Sequence, residues 1–243
     1  MTRYPVDNTI KQKTKEADEY FYSGRRPEAI RLYNDILYTE PDCVYVLVQR
    51  GLALQEERKL SLAIQDYQRA IELDPEYGPA YYGHAWAKGW QHDYEGELTD
   101  AQKGYELDPE HPAMYLRRLG AALTGLKRYK DAIKVYNQTL ALNLNDEGTL
   151  YNRSMCYFQM KQFGLALNDL NHALELDPDW DWAFNQRALV YEQLDKLDEA
   201  IKDIDQAIHY NPNYRPALIA RPRILRKKRN KQFKEFLKKI FNR

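Results

Sequence analysis

Apolar residues along this chain recur at helical spacing in paired segments. Between residues 181 and 214, Phe184, Ala188 and Tyr191 fall on one face of a first helix. Leu197, Ala200, Ile204 and Ala207 fall on one face of a second, before a break at Pro212. The pair repeats along the chain. Ala followed by Ile or Leu stands at Ala29, Ala63, Ala132, Ala166 and Ala200, and Asp-Pro or Asn-Pro turns end at Pro75, Pro109, Pro178 and Pro212, mostly 34 residues apart. One extra residue lies between Pro109 and Ala113, so the units begin at 10, 44, 78, 113, 147 and 181. A period of this length marks an array of supersecondary units, each unable to bury its apolar face alone. Small residues such as Ala188, Ala200 and Ala207 let two helices approach, and larger ones fill the space between them. The expected organisation is a lead over residues 1–9, six helical hairpins over 10–214, and a cap with a tail over 215–243.

Unit two reads Leu47, Gly51, Leu54, Ala63, Tyr67, Ala70, Pro75, and unit five reads Leu150, Ser154, Tyr157, Ala166, Leu170, Ala173, Pro178. This pattern resembles that of the tetratricopeptide repeat family, W-x2-L-G-x2-Y followed by A-x3-F, A and P. The resemblance covers about residues 10–214. It implies an all-α fold, a right-handed α-solenoid superhelix of six helix hairpins plus a C-terminal capping helix. It also implies a concave groove, lined by the first helices, that holds an extended peptide or a helix of another protein.

Unit three departs from the pattern. Glu97 stands where the packing Ala belongs, Gly104 occupies the next small position, and Gly83, Gly89 and Gly96 lie within its helices. Each interior Gly costs roughly 1 kcal/mol of helix stability relative to Ala. Unit three is therefore expected to be the weakest link or a place of close backbone approach, with ordinary drift in a tolerant array as the alternative.

If the fourth, eighth and eleventh positions of each first helix pack, the second, fifth or sixth, ninth and thirteenth share another face. That face carries Tyr45, Val48, Gln49 and Leu52 in unit two, Tyr82, Trp86 and Trp90 in unit three, and Arg117 and Arg118 in unit four. Tyr151, Asn152 and Met155 follow in unit five, and Trp182, Asn185, Gln186 and Leu189 in unit six. Trp, Tyr and Arg together are the composition of interface hot spots. Trp86, Trp90, Tyr151 and Trp182 are the candidate anchors, and Asn152, Gln186, Arg117 and Arg118 the candidate polar partners. Packing of these rings on neighbouring helices is the alternative. Chaperone-binding members of the family carry a clamp of two Lys, two Asn and an Arg. Here Arg117 and Asn152 match it, but Ala121, Trp182 and Gln186 stand at the other places, so the clamp is incomplete.

Charge divides the chain. Residues 215–243 hold twelve Lys or Arg against Glu235 alone, a charge of +11, which leaves −11 for residues 1–214 in a chain of formal net charge +0. Leu218 and Ile219 are expected to cover the end of unit six, and Pro222 to kink or interrupt the helix. Phe233, Phe236, Leu237, Ile240 and Phe241 then recur at three and four residue spacing between lysines, a basic amphipathic helix. It suits capping, folding back on the acidic body, docking on a protein, or an anionic membrane surface reached by residues 224–243. Nucleic acid is the least favoured partner, and association with a second copy of the chain stays open.

The five histidines are scattered, and Cys43 and Cys156 each fall inside a helical pattern, so neither a metal site nor a disulfide framework is expected. No phosphate-binding or nucleophile motif is present. The expectation is a non-catalytic, cytoplasmic protein with no cofactor that binds another protein as an adaptor or scaffold. The alternative is a self-assembling structural role, or a surface tether acting through the tail.

Overall fold

The computed structural model describes residues 3–5 and 7–241; Met1, Thr2 and Val6 of the predicted lead and Asn242 and Arg243 of the predicted tail lie outside the described residues. Among the described residues there are thirteen α-helices and no strand. They form two compact units, Met1–Arg128 and Tyr129–Arg243. The first holds α1 (Asn8–Tyr22), α2 (Arg26–Thr39), α3 (Val44–Glu56), α4 (Leu60–Leu73), α5 (Gly78–Trp90), α6 (Tyr94–Leu107) and α7 (Pro112–Gly125). The second holds α8 (Tyr129–Leu142), α9 (Glu147–Gln159), α10 (Phe163–Leu176), α11 (Asp181–Gln193), α12 (Leu197–Tyr210) and α13 (Arg215–Phe241).

Within each compact unit, every first helix packs on its own second helix and also touches the next first helix, as α3 does with α5 and α9 with α11. The first helices therefore line one side of each compact unit. Each hairpin turns on a residue in the left-handed region, at Gly24, Arg58, His92, Lys127, Lys161 and Asp195, the fifteenth position of all six repeats. This closes the first helix by the αL route. Asp7, Asp93 and Asp146 cap helices by accepting backbone N–H bonds from the first turn. The small position of the second helix, Ala29, Ala63, Ala166 or Ala200, is wholly buried, as is the Tyr33, Tyr67, Leu170 or Ile204 one turn further on.

A second regular feature is polar. Arg50 grips Asp66 with two hydrogen bonds, at 2.8 and 2.6 Å, and sends a third to Asn34 on the preceding second helix at 2.8 Å. Arg153 does the same with Asp169 and Asn137, and Arg187 with Asp203 and Asn171. Each clasp joins three helices through a buried carboxylate. In unit three the Arg position is His84, which lies with Lys88 within 2.9 Å of Asp100, at ion-pair distance but out of hydrogen-bond alignment for the imidazole.

The glycines of unit three mark close approach. A Cβ on Gly83 would stand 2.3 Å from the Tyr67 ring, and one on Gly89 2.5 Å from the Glu97 carboxylate. Eight residues before the small Ala, the other units carry Phe21, Gln55, Thr124, Phe158 and Glu192. Unit three has exchanged the two sizes, Gly89 with Glu97 in place of a large residue with Ala.

The tail differs from expectation. α13 runs unbroken through Pro222, and Ala217, Ala220 and Ile224 cover unit six, whereas Leu218 and Ile219 are exposed, Ile219 at 67%. The register explains this, because α13 continues the repeat as a seventh first helix. Arg221 bonds Asp205 sixteen residues back, the spacing at which Arg187 meets Asn171. Leu218, Pro222 and Leu225 then lie where a second helix would pack, and none follows among the described residues. An exposed proline at this place removes one backbone bond without forcing its ring into a packed face. Cys43 stands just before α3 rather than inside it, and it is buried like Cys156. No helix among the described residues is long and apolar enough to cross a membrane.

Candidate functional site

In the first compact unit, α5 presents Tyr82, Trp86 and Trp90 one turn apart. Tyr82 lies 6.2 Å from Trp86 and meets Tyr115 edge-on at 6.0 Å. The Arg118 guanidinium, from α7, stands 5.7 Å from the Trp86 ring. Its other neighbour is the buried Glu97 carboxylate at 3.5 Å. Burial pushes the Glu97 carboxyl up to about 7, against the opposing pull of Arg118. Half-buried Arg117 lies beside this group in sequence, and Trp90 is 53% exposed.

Tyr45 and Gln49 on α3 are not part of that cluster. The Tyr45 hydroxyl donates to Asp18 at 2.8 Å, where the Tyr33 hydroxyl also donates at 2.6 Å, and burial raises the Asp18 carboxyl despite both donors. Gln49 is half-buried and its Oε1 is buried with no hydrogen-bond partner.

In the second compact unit, Tyr151, Asn152 and Met155 on α9 are half-buried. The Tyr151 ring leans on Trp180 at 5.0 Å, and burial pushes its hydroxyl up to about 12. Trp182 on α11 is 52% exposed. Asn185 and Gln186, expected on the accessible face, are instead 7% and 8% exposed. α13 packs against both α11 and α12. Asn185 Oδ1 is left buried without a hydrogen-bond partner.

Three participants were not read from sequence. Trp180 sits in the turn before α11, outside the helical positions used to trace the face. Asp18 lies on α1, and its role shows only through the two tyrosines that reach it. Glu97 stood out as a departure, but its pairing with Arg118 links two repeats. In the tail, Arg223, Lys228 and Lys231 pair with Glu192, Asp198 and Asp195, so the first part of α13 lies along the acidic end of unit six. Beyond them Phe233, Phe236, Ile240 and Phe241 are exposed.

Two family profiles, both described as tetratricopeptide repeat, match residues 44–77 and 182–214, and residues 148–180. These are the three units that carry the Arg–Asp clasp. The chain is a tetratricopeptide repeat protein. It is similar to a DnaJ homolog subfamily C member 7 homolog of Dictyostelium discoideum, 34% identical over 107 residues, 42% of this chain and 20% of the relative. A probable UDP-N-acetylglucosamine–peptide N-acetylglucosaminyltransferase SPINDLY of Hordeum vulgare is 26% identical over 170 residues, 66% of this chain and 16% of the relative. The chain thus spans a fifth or less of these relatives' lengths. Among solved structures, the APC/C hetero-tetramer Cut9-Hcn1 matches with a TM-score of 0.82 at 19% identity, over 89% of this chain and 43% of that one. That likeness is one of fold.

Proposed function

We propose that this chain is a non-catalytic protein–protein interaction module that holds a peptide or a helix of a partner protein against its first helices. The observation that carries this reading is that the first helices of each compact unit keep large aromatic surface open, with Trp90 half exposed and Trp86 backed by Tyr82 and Arg118 in the first unit and Trp182 half exposed in the second. Exposed aromatic surface beside arginine is the usual make-up of an interface centre. Family membership supports the same reading. The anchors are Trp86, Trp90, Tyr151 and Trp182, with Asn152, Arg117 and Arg118 as polar partners. Tyr45, Gln49, Asn185 and Gln186 shape the surface from below.

A partner captured from native extract by the wild-type chain should be lost or greatly weakened with the Trp86→Ala/Trp182→Ala variant. Each true anchor is worth about 2 kcal/mol of affinity or more, roughly a thirtyfold change in Kd. Unchanged affinity of the purified pair would move the site elsewhere.

A second reading rests on the exposed Phe233, Phe236, Ile240 and Phe241, interleaved with Lys234, Lys238 and Lys239. In it the far end of α13 tethers the protein to an anionic lipid surface. The full chain should then co-sediment with phosphatidylserine vesicles at low salt and be released at high salt. A chain that stays in the supernatant at low salt removes this reading.

A further inference from the structure

Residues 3–5 lie against the amino ends of α3 and α5 in the manner of a bound peptide. The Arg3 carbonyl accepts the Tyr45 N–H at 2.9 Å, one of the helix-end donors left without an intrahelical partner. The Tyr4 ring rests on the Tyr45 ring at 5.5 Å. The Arg3 guanidinium pairs with Asp74 at 2.6 Å and stands 5.2 Å over the Tyr77 ring, and Pro5 is buried. These are a backbone carbonyl, a ring and a guanidinium, each met by a group of the helical body 40 or more residues away in sequence. None of them requires a covalent link between occupant and site.

The surface also continues past the segment. From Tyr4 and Tyr77 an open recess of about 430 Å³ runs over Gly78 and Pro79 to Met114 at the start of α7. Its walls carry Glu76, Asp108 and Glu110, with His111 bonded to Asp108 as the one titratable cation besides Arg3. A ligand following this path meets carboxylates.

We infer that the face formed by Tyr45, Asp74 and Tyr77 is a binding site for a partner segment that carries a basic residue followed by an aromatic one, and that Arg3–Tyr4–Pro5 is its intramolecular occupant. The site shares no residue with the Trp86 and Trp182 anchors and does not rest on their role. It accounts for Tyr45, whose ring is covered by Tyr4 and therefore is not open to a ligand while the segment is docked. An intramolecular occupant acts at an effective concentration in the millimolar range, so a partner gains the site only by offering more contacts, for which the acidic recess provides room.

The probe is a fluorescein-labelled, C-terminally amidated peptide of residues 1–7, Met-Thr-Arg-Tyr-Pro-Val-Asp, followed by fluorescence anisotropy with the full chain. The Arg3→Ala/Tyr4→Ala protein, whose own segment is weakened, should bind it, and wild type should bind it about tenfold or more weakly because its segment competes. Adding Asp74→Ala to the double variant should abolish binding, as should replacing Arg and Tyr of the peptide by Ala. Circular dichroism of all three proteins confirms that they are folded. Equal binding by wild type and the double variant, or none by either, overturns the inference. Dimers of wild type by light scattering that vanish in the double variant would also overturn it, by making the occupant a second copy rather than the chain itself.

Discussion

Arg153→Ala is expected to lower the stability of the chain by about 3–5 kcal/mol, read from the midpoint of urea or thermal unfolding. Asp169 is buried, and Arg153 gives it two bonds at 2.8 and 2.6 Å while holding Asn137 at 2.7 Å. Without the guanidinium the carboxylate stays buried and loses its partner, and that uncompensated charge is the larger part of the cost. Because the Arg153 side chain is 19% exposed, water reaches the site in part and the loss should fall toward the lower end. Lysine should not restore it, since a single ammonium cannot fork onto both oxygens. The sharper test is Arg153→Leu/Asp169→Val, which should recover most of the loss. Unit four carries Leu119 and Val135 at these same two positions of the repeat, so the array already tolerates the apolar pair. Since each repeat contacts only its neighbours, hydrogen exchange in the single variant should quicken first in α9 and α10. A single variant within 1 kcal/mol of wild type would make the clasp dispensable.

The repeat was legible because its signals are local and recur. Ala and Pro at fixed offsets set the register of the hairpins, and the helical spacing of apolar residues set their buried faces. The candidate site was legible only in its aromatic part, where Trp86, Trp90 and Trp182 fall outside the packing positions. What was hidden depends on contacts between repeats. Asn185 and Gln186 occupy the face that is open in an idealised unit, and they are buried. Pro222 reads as a breaker by itself, yet it sits exposed on the face of α13 where a second helix would pack, and none follows among the described residues. Tyr45 reads as open, and its ring is covered by Tyr4 from far upstream in the chain. Glu97 reads as drift until Gly89, eight residues earlier, shows where the carboxylate goes.

That carboxylate sets the second large effect. The folded chain holds the Glu97 carboxyl at about 7, pushed there by burial against the opposing pull of Arg118, while an unfolded chain releases the proton near 4.5. Between these values the folded state binds a proton that the unfolded state has lost, so this group makes stability fall as pH rises through the window and level off above about 7. The displacement corresponds to about 3 kcal/mol. Glu97→Gln keeps the shape of the neutral acid and cannot ionise. It should match wild type near pH 4 and exceed it by up to about 3 kcal/mol at pH 8, with the difference opening between those limits. Parallel stability curves for the two proteins from pH 5 to pH 8 would show that the carboxyl titrates as an ordinary one. The same exchange bears on binding, because Arg118 neighbours both Glu97 and the Trp86 ring. With Glu97 ionised the guanidinium has both a buried counter-ion and an aromatic ring as neighbours. With Gln in place it keeps only the ring and is freer to meet an acidic group of a partner. A partner held through Trp86 should therefore gain affinity from Glu97→Gln if it is acidic and lose nothing if it is apolar, which turns a stability variant into a probe of partner chemistry.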